Sequence, residues 1–401
     1  MNFRERSRRS FPSNRRLYSS MGRLRAYKKM ESRKVDNRSM HICLICTEIF
    51  AWGKHGGFGR ATRMIGKELV KHGVQVSAVV PKRGDQKSIE VLDGITVYSF
   101  DKLEILSSGN IYKKIDADIY HSQEPSFSTY MALKAMPEKK HIVTFRDTRL
   151  SFDWLTELRL PSKNWLQVLS NVLYEDNYLV HKAVRQSDAL YAASKHLIPL
   201  AKKKYELSRI PEFLATPAEM PGNITKVSQP TVCFIGRLDR RKRPELFFEL
   251  ARSFPDVKFI TVGKSRDKKW GEYLKDKYGQ IKNLEFAGFI DIFEGKKLST
   301  ILGKSWILVN PAAREGLPNA FIEAAAHGCA ILSSVDPDEF ASRFGYYAQN
   351  DDLHAGLVYL LENGNWERHG RLGQEYVKSV FASDVSINEH LKIYRNLIKE
   401  N

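Results

Sequence analysis

The segment from residue 306 to residue 328 constrains the fold more than any other part of the chain. Trp306 to Asn310 is a short apolar run of the strand type. Pro318 suits the first turn of a helix, where its missing N–H is not needed, and Gly328 suits a helix end. The pattern predicts a buried strand, a loop and a helix in succession, which is the repeating unit of parallel α/β sheets.

Two acids stand eight positions apart in this segment, Glu315 on the predicted loop and Glu323 in the predicted helix. Between them, the backbone N–H groups of Leu317, Asn319 and Ala320 would point, together with the helix dipole, at a bound anion. Carboxylates accept hydrogen bonds from pairs of hydroxyls, so the acids suit a ribose and a hexose on either side of a diphosphate. Solvated acids on a helix surface give the same spacing, and the spacing alone leaves both interpretations open.

A second strand-to-helix unit lies upstream. Residues 231–235 are an apolar strand-type run, and residues 245–254 have the apolar spacing of a helix. Arg237 and Lys242 stand on the loop between them. Arg offers a planar fork and Lys a mobile point charge, so together they suit a diphosphate, although basic loops are also typical of solvated surfaces.

A third unit begins the folded part of the sequence. His41 to Cys46 is strand-like and is followed by Gly56 and Gly57, which allow a backbone to approach a phosphate closely. The spacing differs from the dinucleotide motif G-x-G-x-x-G, so this loop alone is a weak signal.

The order of these motifs resembles the family 4 retaining glycosyltransferases of the GT-B fold, over about residues 40 to 400. The residues that carry the resemblance are Gly56-Gly57, the run from Asp118 to Pro125, Gly236-Arg237 with Lys242, Ala287-Gly288-Phe289, and Glu315-Gly-Leu-Pro with Glu323. The resemblance implies an α/β protein with two Rossmann-like domains whose parallel sheets face a central cleft. The expected domains are 40–214 for the acceptor and 218–382 for the donor, with a helix in 383–401 that returns to the first domain.

The same resemblance implies roles for single residues. Arg237 and Lys242 would hold the diphosphate, and Gly56 and Gly57 would touch the phosphates from the other domain. Glu323 would bind the ribose, Glu315 the donor sugar, and the backbone near Phe289 and Ile290 the base. Many members have a second histidine at the position of Gln123, beside the reacting carbon, so Gln123 and Glu315 are the expected catalytic residues.

The implied function is that of a retaining, metal-independent hexosyltransferase. It would move a sugar from a nucleoside-diphosphate sugar to a hydroxyl of a glycan or lipid-linked acceptor in polysaccharide synthesis, with no cofactor other than the donor substrate. The pairs Asp116/Asp118 and Asp336/Asp338 have the spacing of metal-binding acids, but they adjoin a strand and a Pro-bearing turn, and we expect no metal site. Because Gln123 departs from the family pattern, a nucleotide-sugar epimerase or a non-catalytic nucleotide-sugar-binding protein remains an alternative.

The formal net charge is +18, and residues 1–40 supply 13 Lys or Arg against three acids. A basic helix on anionic lipid, a nucleic-acid arm and an organelle transit segment all fit residues 1–39, but we favour a disordered extension and expect no nucleic-acid partner. The four cysteines lie in apolar runs that favour core packing, and no run of 18 apolar residues occurs. We therefore expect a cytoplasmic protein, with peripheral contact to the inner face of an anionic membrane.

Overall fold

The computed structural model describes residues 39–53, 55–159 and 165–399. The prediction for the basic extension falls, apart from Ser39, outside these residues. The described residues from Met40 onward form one compact unit. It contains two sheets, and we call the parts built on them the first lobe and the second lobe.

The first lobe is built on an eight-stranded sheet in the order β3-β4-β2-β1-β5-β6-β7-β8. All neighbouring strands are parallel except β3 and β4. The strands are β1 His41–Ile45, β2 Gln75–Pro81, β3 Ile89–Leu92, β4 Ile95–Phe100, β5 Ile119–Ser122, β6 Lys140–Phe145, β7 Ala189–Ala192 and β8 Glu212–Phe213. The helices are α1 Gly57–Lys71, α2 Ser108–Ile115, α3 Phe127–Ala135, α4 Ser151–Arg159, α5 Trp165–Glu175, α6 Tyr178–Gln186 and α7 Leu197–Tyr205, with a 3₁₀ turn at Lys102–Ser107.

The second lobe is built on a six-stranded, wholly parallel sheet in the order β11-β10-β9-β12-β13-β14. The strands are β9 Thr231–Ile235, β10 Lys258–Val262, β11 Leu284–Gly288, β12 Ile307–Asn310, β13 Ala330–Ser333 and β14 Gly345–Tyr347. The helices are α8 Pro244–Ser253, α9 Lys268–Tyr278, α10 Lys297–Lys304, α11 Asn319–Ala326, α12 Phe340–Phe344, α13 Leu353–Leu361 and α14 Asn365–Val380, with 3₁₀ turns at Arg240–Lys242, Pro337–Glu339 and Gln349–Asp351.

Apolar side chains cover both faces of each sheet, as parallel sheets require. In the second sheet Val232 and Phe234 enter one core and Cys233 the other, because successive strand residues point to opposite faces. In the first sheet Cys43 and Cys46 likewise lie in different cores. All four cysteines are buried thiols, and burial raises the pKa of Cys46 to about 12.

The last helix, α15 Ser383–Lys399, leaves the second lobe and packs on the first. Its residues Ile387, Leu391 and Tyr394 share a core with Ile42 and Ile119. The Tyr394 hydroxyl lies 2.8 Å from His121 Nδ1, on β5. The helix therefore ties the end of the chain to the centre of the first sheet.

The topology also locates a binding region. In the second sheet β9 lies beside both β10 and β12, so the loops after β9 and β12 leave the same edge in opposite directions. Ligands of open α/β sheets bind at such a point, outside the carboxyl ends of the strands. Within the described residues, no helix has both the length and the apolar character needed to cross a membrane.

Candidate active site

The loop from Pro311 to Pro318 and helix α11 form one wall of the site. Pro318 lies at the N-cap with an extended backbone, so the helix begins one residue later than the sequence predicts, at Asn319. Gly328, with φ of +67°, follows the end of the helix, where a left-handed residue is required. Glu315 accordingly lies on the loop, and Glu323 lies inside the helix.

Lys242 and Glu315 meet in the second lobe. Lys242 ends the 3₁₀ turn after β9, and Asp239 caps that turn by accepting a hydrogen bond from the Lys242 N–H at 3.2 Å. The Lys242 ammonium contacts Glu315 Oε1, and both side chains are largely buried. Burial, together with the neighbouring Arg241 and Arg237, lowers the pKa of Lys242 to about 7, whereas Asp239 and Asp147 oppose the shift. A second negative group, such as a phosphate, would stabilise the charged ammonium.

A central cavity of about 270 Å³ opens between these loops and the first lobe. Its cationic side chains outnumber its carboxylates, so its charge suits an anionic ligand. The charged residues that line it are Arg60, Arg146, Asp147, Arg149, Arg237, Arg241, Lys242 and Glu315. The cavity is also lined by five other predicted residues, Gly56, Gly57, Leu317, Asn319 and Ala320.

The first lobe closes the cavity with its glycine loop and with the loop after β6. Asn319 Nδ2 donates a hydrogen bond of 3.1 Å to the carbonyl oxygen of Gly57. Gly316 allows the second contact, because a Cβ at this position would lie 2.5 Å from the Arg146 carbonyl oxygen. Two predicted loops from different lobes therefore meet at the site.

Arg314 joins the lobes through a pair of carboxylates. Its guanidinium donates hydrogen bonds of 2.6 Å to Asp147 and 2.6 Å to Asp153, both in the first lobe. Burial alone would raise the pKa of the Asp147 carboxyl, but Arg149 and Arg314 hold it well below its usual range. Asp147 therefore stays ionised, and its carboxylate holds the Arg314 guanidinium of the other lobe by an ion pair.

Asp338 belongs to one of the two acid pairs with metal-site spacing, and it joins the lobes at a second point. Its carboxylate accepts hydrogen bonds from the Ser194 hydroxyl and from the Lys195 and His196 backbone N–H groups, at 2.7–2.9 Å. Burial opposes ionisation, but these donors and the His196 ring lower the pKa of Asp338 to about 2. Among the described residues, no group of three or more His, Cys, Asp and Glu side chains is arranged to hold a metal ion.

Glu323 is paired with Arg60, a residue that sequence reasoning missed. Arg60 lies on α1, contacts Glu323 Oε1 across the lobes, and has its pKa lowered to about 9 by burial. Glu323 Oε2 is buried without a hydrogen-bond partner, so it can still accept a hydrogen bond from a hydroxyl. Glu323 lines a larger neighbouring cavity of about 780 Å³ and not the central one. The available signal was the position of Arg60 three residues after Gly57, which places both near the start of one helix.

Phe289 and Ile290 follow β11 and lie in a separate, more apolar cavity of about 150 Å³. Arg60 and Arg237 line both this cavity and the central one, so the two are adjacent. The Phe289 ring lies 4.3 Å from the His55 ring, and Lys264 Nζ lies 4.9 Å from its centroid. An aromatic cavity beside a cationic one has the shape and polarity for a base next to a diphosphate.

Gln123 lies directly after β5, at the carboxyl edge of the first sheet, where the sequence places it. Its side chain does not reach any of the three cavities in the described part of the chain. Gln123 Oε1 accepts a 2.5 Å hydrogen bond from Arg146 Nη2, and Arg146 is the residue that lines the central cavity. Gln123 is therefore connected to the central cavity through Arg146, and its expected contact with a ligand stays a prediction.

Arg146 and His121 show how this edge is held. Arg146 also donates a 2.8 Å hydrogen bond to Thr216, on the segment between the lobes, and burial lowers its pKa to about 10. The His121 ring is fully buried between Tyr394 at 2.8 Å and Thr144 at 2.7 Å, and burial lowers its pKa well below 6.5. His121 therefore serves the packing of the first lobe.

Comparisons with known proteins agree with this architecture. Residues 217–343 match the model of the family described as glycosyl transferases group 1. Among solved structures, sucrose-phosphate synthase from Thermosynechococcus elongatus has a TM-score of 0.69 at 15% identity, covering 90% of this chain and 100% of that one. HepE of Anabaena, in complex with UDP and glucose, has a TM-score of 0.64 at 13% identity, covering 88% and 99%.

A third solved structure, the pneumococcal O-GlcNAc transferase GtfA in complex with UDP and GlcNAc, has a TM-score of 0.64 at 8% identity, covering 90% of this chain and 99% of that one. No curated protein sequence matches the chain significantly. The expected fold of two parallel-sheet lobes with a returning C-terminal helix is confirmed. The chain therefore has the GT-B fold, and over residues 217–343 its second lobe matches the group 1 glycosyl transferases.

Proposed function

We propose that the protein is a retaining glycosyltransferase of the family 4 type, which moves a hexose from a nucleoside-diphosphate sugar to a hydroxyl acceptor. The observation that carries the proposal is the central cavity, where Arg237, Lys242 and the start of α11 converge opposite the glycine loop of the first lobe. The solved structures of HepE and GtfA are complexes with UDP and a sugar, which supports a nucleotide sugar as the ligand of this cavity.

In this proposal the donor lies across the three adjoining cavities. The base occupies the aromatic cavity near Phe289 and Ile290, the diphosphate lies between Arg237 and Lys242, and the sugar reaches Glu315. A hydroxyl of the ribose donates a hydrogen bond to Glu323 Oε2. Fixed cations and the amides of the first helical turn would stabilise the leaving diphosphate, which is the role that a metal has in other transferases.

The chemical step would be a front-face displacement. The bond from the anomeric carbon to the diphosphate oxygen breaks, the acceptor oxygen forms a bond on the same face, and the leaving phosphate takes the acceptor proton. The enzyme then contributes mainly positioning and charge stabilisation. In this step Arg146, which donates a hydrogen bond to Gln123 and lines the cavity, would orient a sugar hydroxyl.

The acceptor class and the location belong to the same proposal. We infer a glycan or lipid-linked acceptor in polysaccharide synthesis, and an enzyme that acts in the cytoplasm at the inner face of a membrane. The alternative of an epimerase or a non-catalytic binding protein is not favoured by the comparisons.

A panel of UDP-, GDP- and ADP-sugars tests the proposal by thermal stabilisation. A donor at 100 times its dissociation constant adds about 2.7 kcal/mol to stability, so the correct base should stand out clearly. With that donor, NMR of the product should show the anomeric configuration of the donor. An inverted product would reject the retaining assignment, and the absence of stabilisation by every donor would reject the donor site.

A further inference from the structure

Helices α4 and α5 of the first lobe expose an unusual set of apolar side chains. Six large residues on these two helices are between 47 and 64% exposed: Leu155, Leu158, Trp165, Leu166, Leu169 and Leu173. The two helices contact each other, so these residues belong to one region of the surface. Single exposed apolar residues are common, but a contiguous group marks an interaction surface.

The exposed apolar residues recur at helical spacing. On α4, Leu155 and Leu158 are three residues apart, and both are exposed. On α5, Leu169 and Leu173 are four residues apart and exposed, whereas Val168 is buried. Residues three or four apart lie on the same face of a helix. Each helix therefore has an outward apolar stripe, and α5 also has an apolar residue that packs inward.

This surface adjoins the central cavity through Arg149. Arg149 lines the cavity, lies 4.8 Å from the Trp154 ring on α4, and pairs with Glu175 on α5 at 3.2 Å. An acceptor whose sugar enters the cavity near Arg149 would thus have its remote end close to the exposed apolar stripes.

Lysines stand next to the same helices. Lys204, at the end of α7, donates a 2.8 Å hydrogen bond to the Arg149 carbonyl oxygen and pairs with Asp176, next to α5, at 3.0 Å. Lys202 and Lys203 on the same turn are exposed. Apolar stripes flanked by lysines are typical of helices that lie in the interface of an anionic bilayer. Outside the basic extension, residues 41–401 still carry 51 Lys or Arg against 43 Asp or Glu, which favours the same partner.

We propose that the outward stripes of α4 and α5 dock the protein on an anionic lipid bilayer. The inference rests on the proposed function in one respect, because it explains how a lipid-linked acceptor reaches the cavity. Docking itself requires no donor and no turnover, so it can be measured separately.

The test is co-sedimentation of the full chain with phosphatidylcholine vesicles, with and without phosphatidylglycerol. Wild type should bind the anionic vesicles, and Leu169→Glu with Leu173→Glu should lower the partition coefficient at least about tenfold, because two apolar contacts become charges. Leu372→Glu with Val385→Glu is the matched control, since these residues are 40 and 44% exposed on α14 and α15, outside the proposed surface. Circular dichroism of both variants checks that they fold.

High salt distinguishes vesicle binding through this surface from vesicle binding through the basic N-terminal residues. At about 0.5 M salt the charge attraction is largely screened, and the remaining apolar binding should still distinguish the stripe variant from the control. Equal binding of the stripe variant and wild type, both at low salt and at about 0.5 M salt, would overturn the proposal. A wild-type dimer that the stripe variant converts to a monomer, without any change in vesicle binding, would assign the surface to a second copy and also overturn it.

The result is independent of the enzymatic assignment. Vesicle binding without turnover of any donor would reject the proposed function and leave the docking surface intact. Turnover of a soluble acceptor by a protein that does not bind vesicles would reject the docking surface and leave the proposed function intact.

Discussion

Replacing Lys242 with Ala is the perturbation whose effect can be worked out most fully from the structure. The Lys242 side chain is largely buried, contacts Glu315, and lines the central cavity. A charge-assisted hydrogen bond to phosphate contributes about 1.5–3 kcal/mol, so its loss should weaken nucleoside-diphosphate binding roughly ten- to hundredfold. The loss should remain partial, because Arg237 and Arg241 still line the cavity, and Arg237→Ala should cause a similar loss.

The chain offers a matched control two residues away. Arg240 belongs to the same 3₁₀ turn, but its guanidinium lies 4.1 Å from the Trp270 ring centroid. Arg240→Ala removes the same formal charge at a position that does not line the cavity. We expect its nucleotide affinity to stay within about twofold of wild type, since surface charges act weakly at physiological salt.

The pH dependence adds a second readout. Burial and the neighbouring arginines lower the pKa of Lys242 to about 7 in the free protein. As the pH rises through 7, the free Lys242 loses its proton, and a diphosphate must then bind with proton uptake. The ratio of wild-type to Lys242→Ala affinity should therefore decrease above pH 7. Calorimetry in buffers of different ionisation enthalpy measures both quantities. Equal affinities for Lys242→Ala and Arg240→Ala across this range would refute the diphosphate assignment.

The remaining predictions concern the two acids, the buried glutamine and the contact between lobes. Glu323→Gln should weaken binding of the bare nucleotide about tenfold, whereas Glu315→Gln should preserve it and depress sugar transfer; equal loss of nucleotide affinity in both would contradict the assignment. Gln123→Ala should lower turnover about ten- to a thousandfold with little change in nucleotide affinity, and full activity would exclude a catalytic contribution. Arg314→Ala should lower the free energy of unfolding by about 1–2 kcal/mol in thermal denaturation, because it breaks a largely buried pair. Arg252→Ala, which breaks an exposed pair within α8, should change it by less than about 0.5 kcal/mol, and equal effects would contradict the role of Arg314 between the lobes.

The parts of the site that are predictable from sequence are those fixed by local signals. Pro318 and Gly328 mark the ends of α11 closely enough to place Glu315 on the loop and Glu323 in the helix. The strand-type run before Gly236 likewise places Arg237 and Lys242 at the carboxyl edge of the second sheet. These predictions depend on periodicity and backbone preference within one segment, which the sequence contains directly.

The parts that are not predictable depend on contacts between distant segments. Arg60 meets Glu323 only because the two lobes close on each other. Periodicity locates Gln123 at the end of β5, but it cannot show that Arg146, directly after β6, donates a hydrogen bond to it. Arg146 itself is one basic residue among 64 Lys and Arg, and only its tertiary position distinguishes it.

The measurement that tests the central claim most directly is turnover of the donor that stabilises the protein. Release of nucleoside diphosphate and transfer of the sugar should be followed together, with wild type, Glu315→Gln and Arg240→Ala in parallel. The proposed function predicts release and transfer by wild type and by Arg240→Ala, and a strong loss with Glu315→Gln. Donor binding by wild type without any release or transfer across a broad acceptor panel would contradict the claim that the protein is a glycosyltransferase.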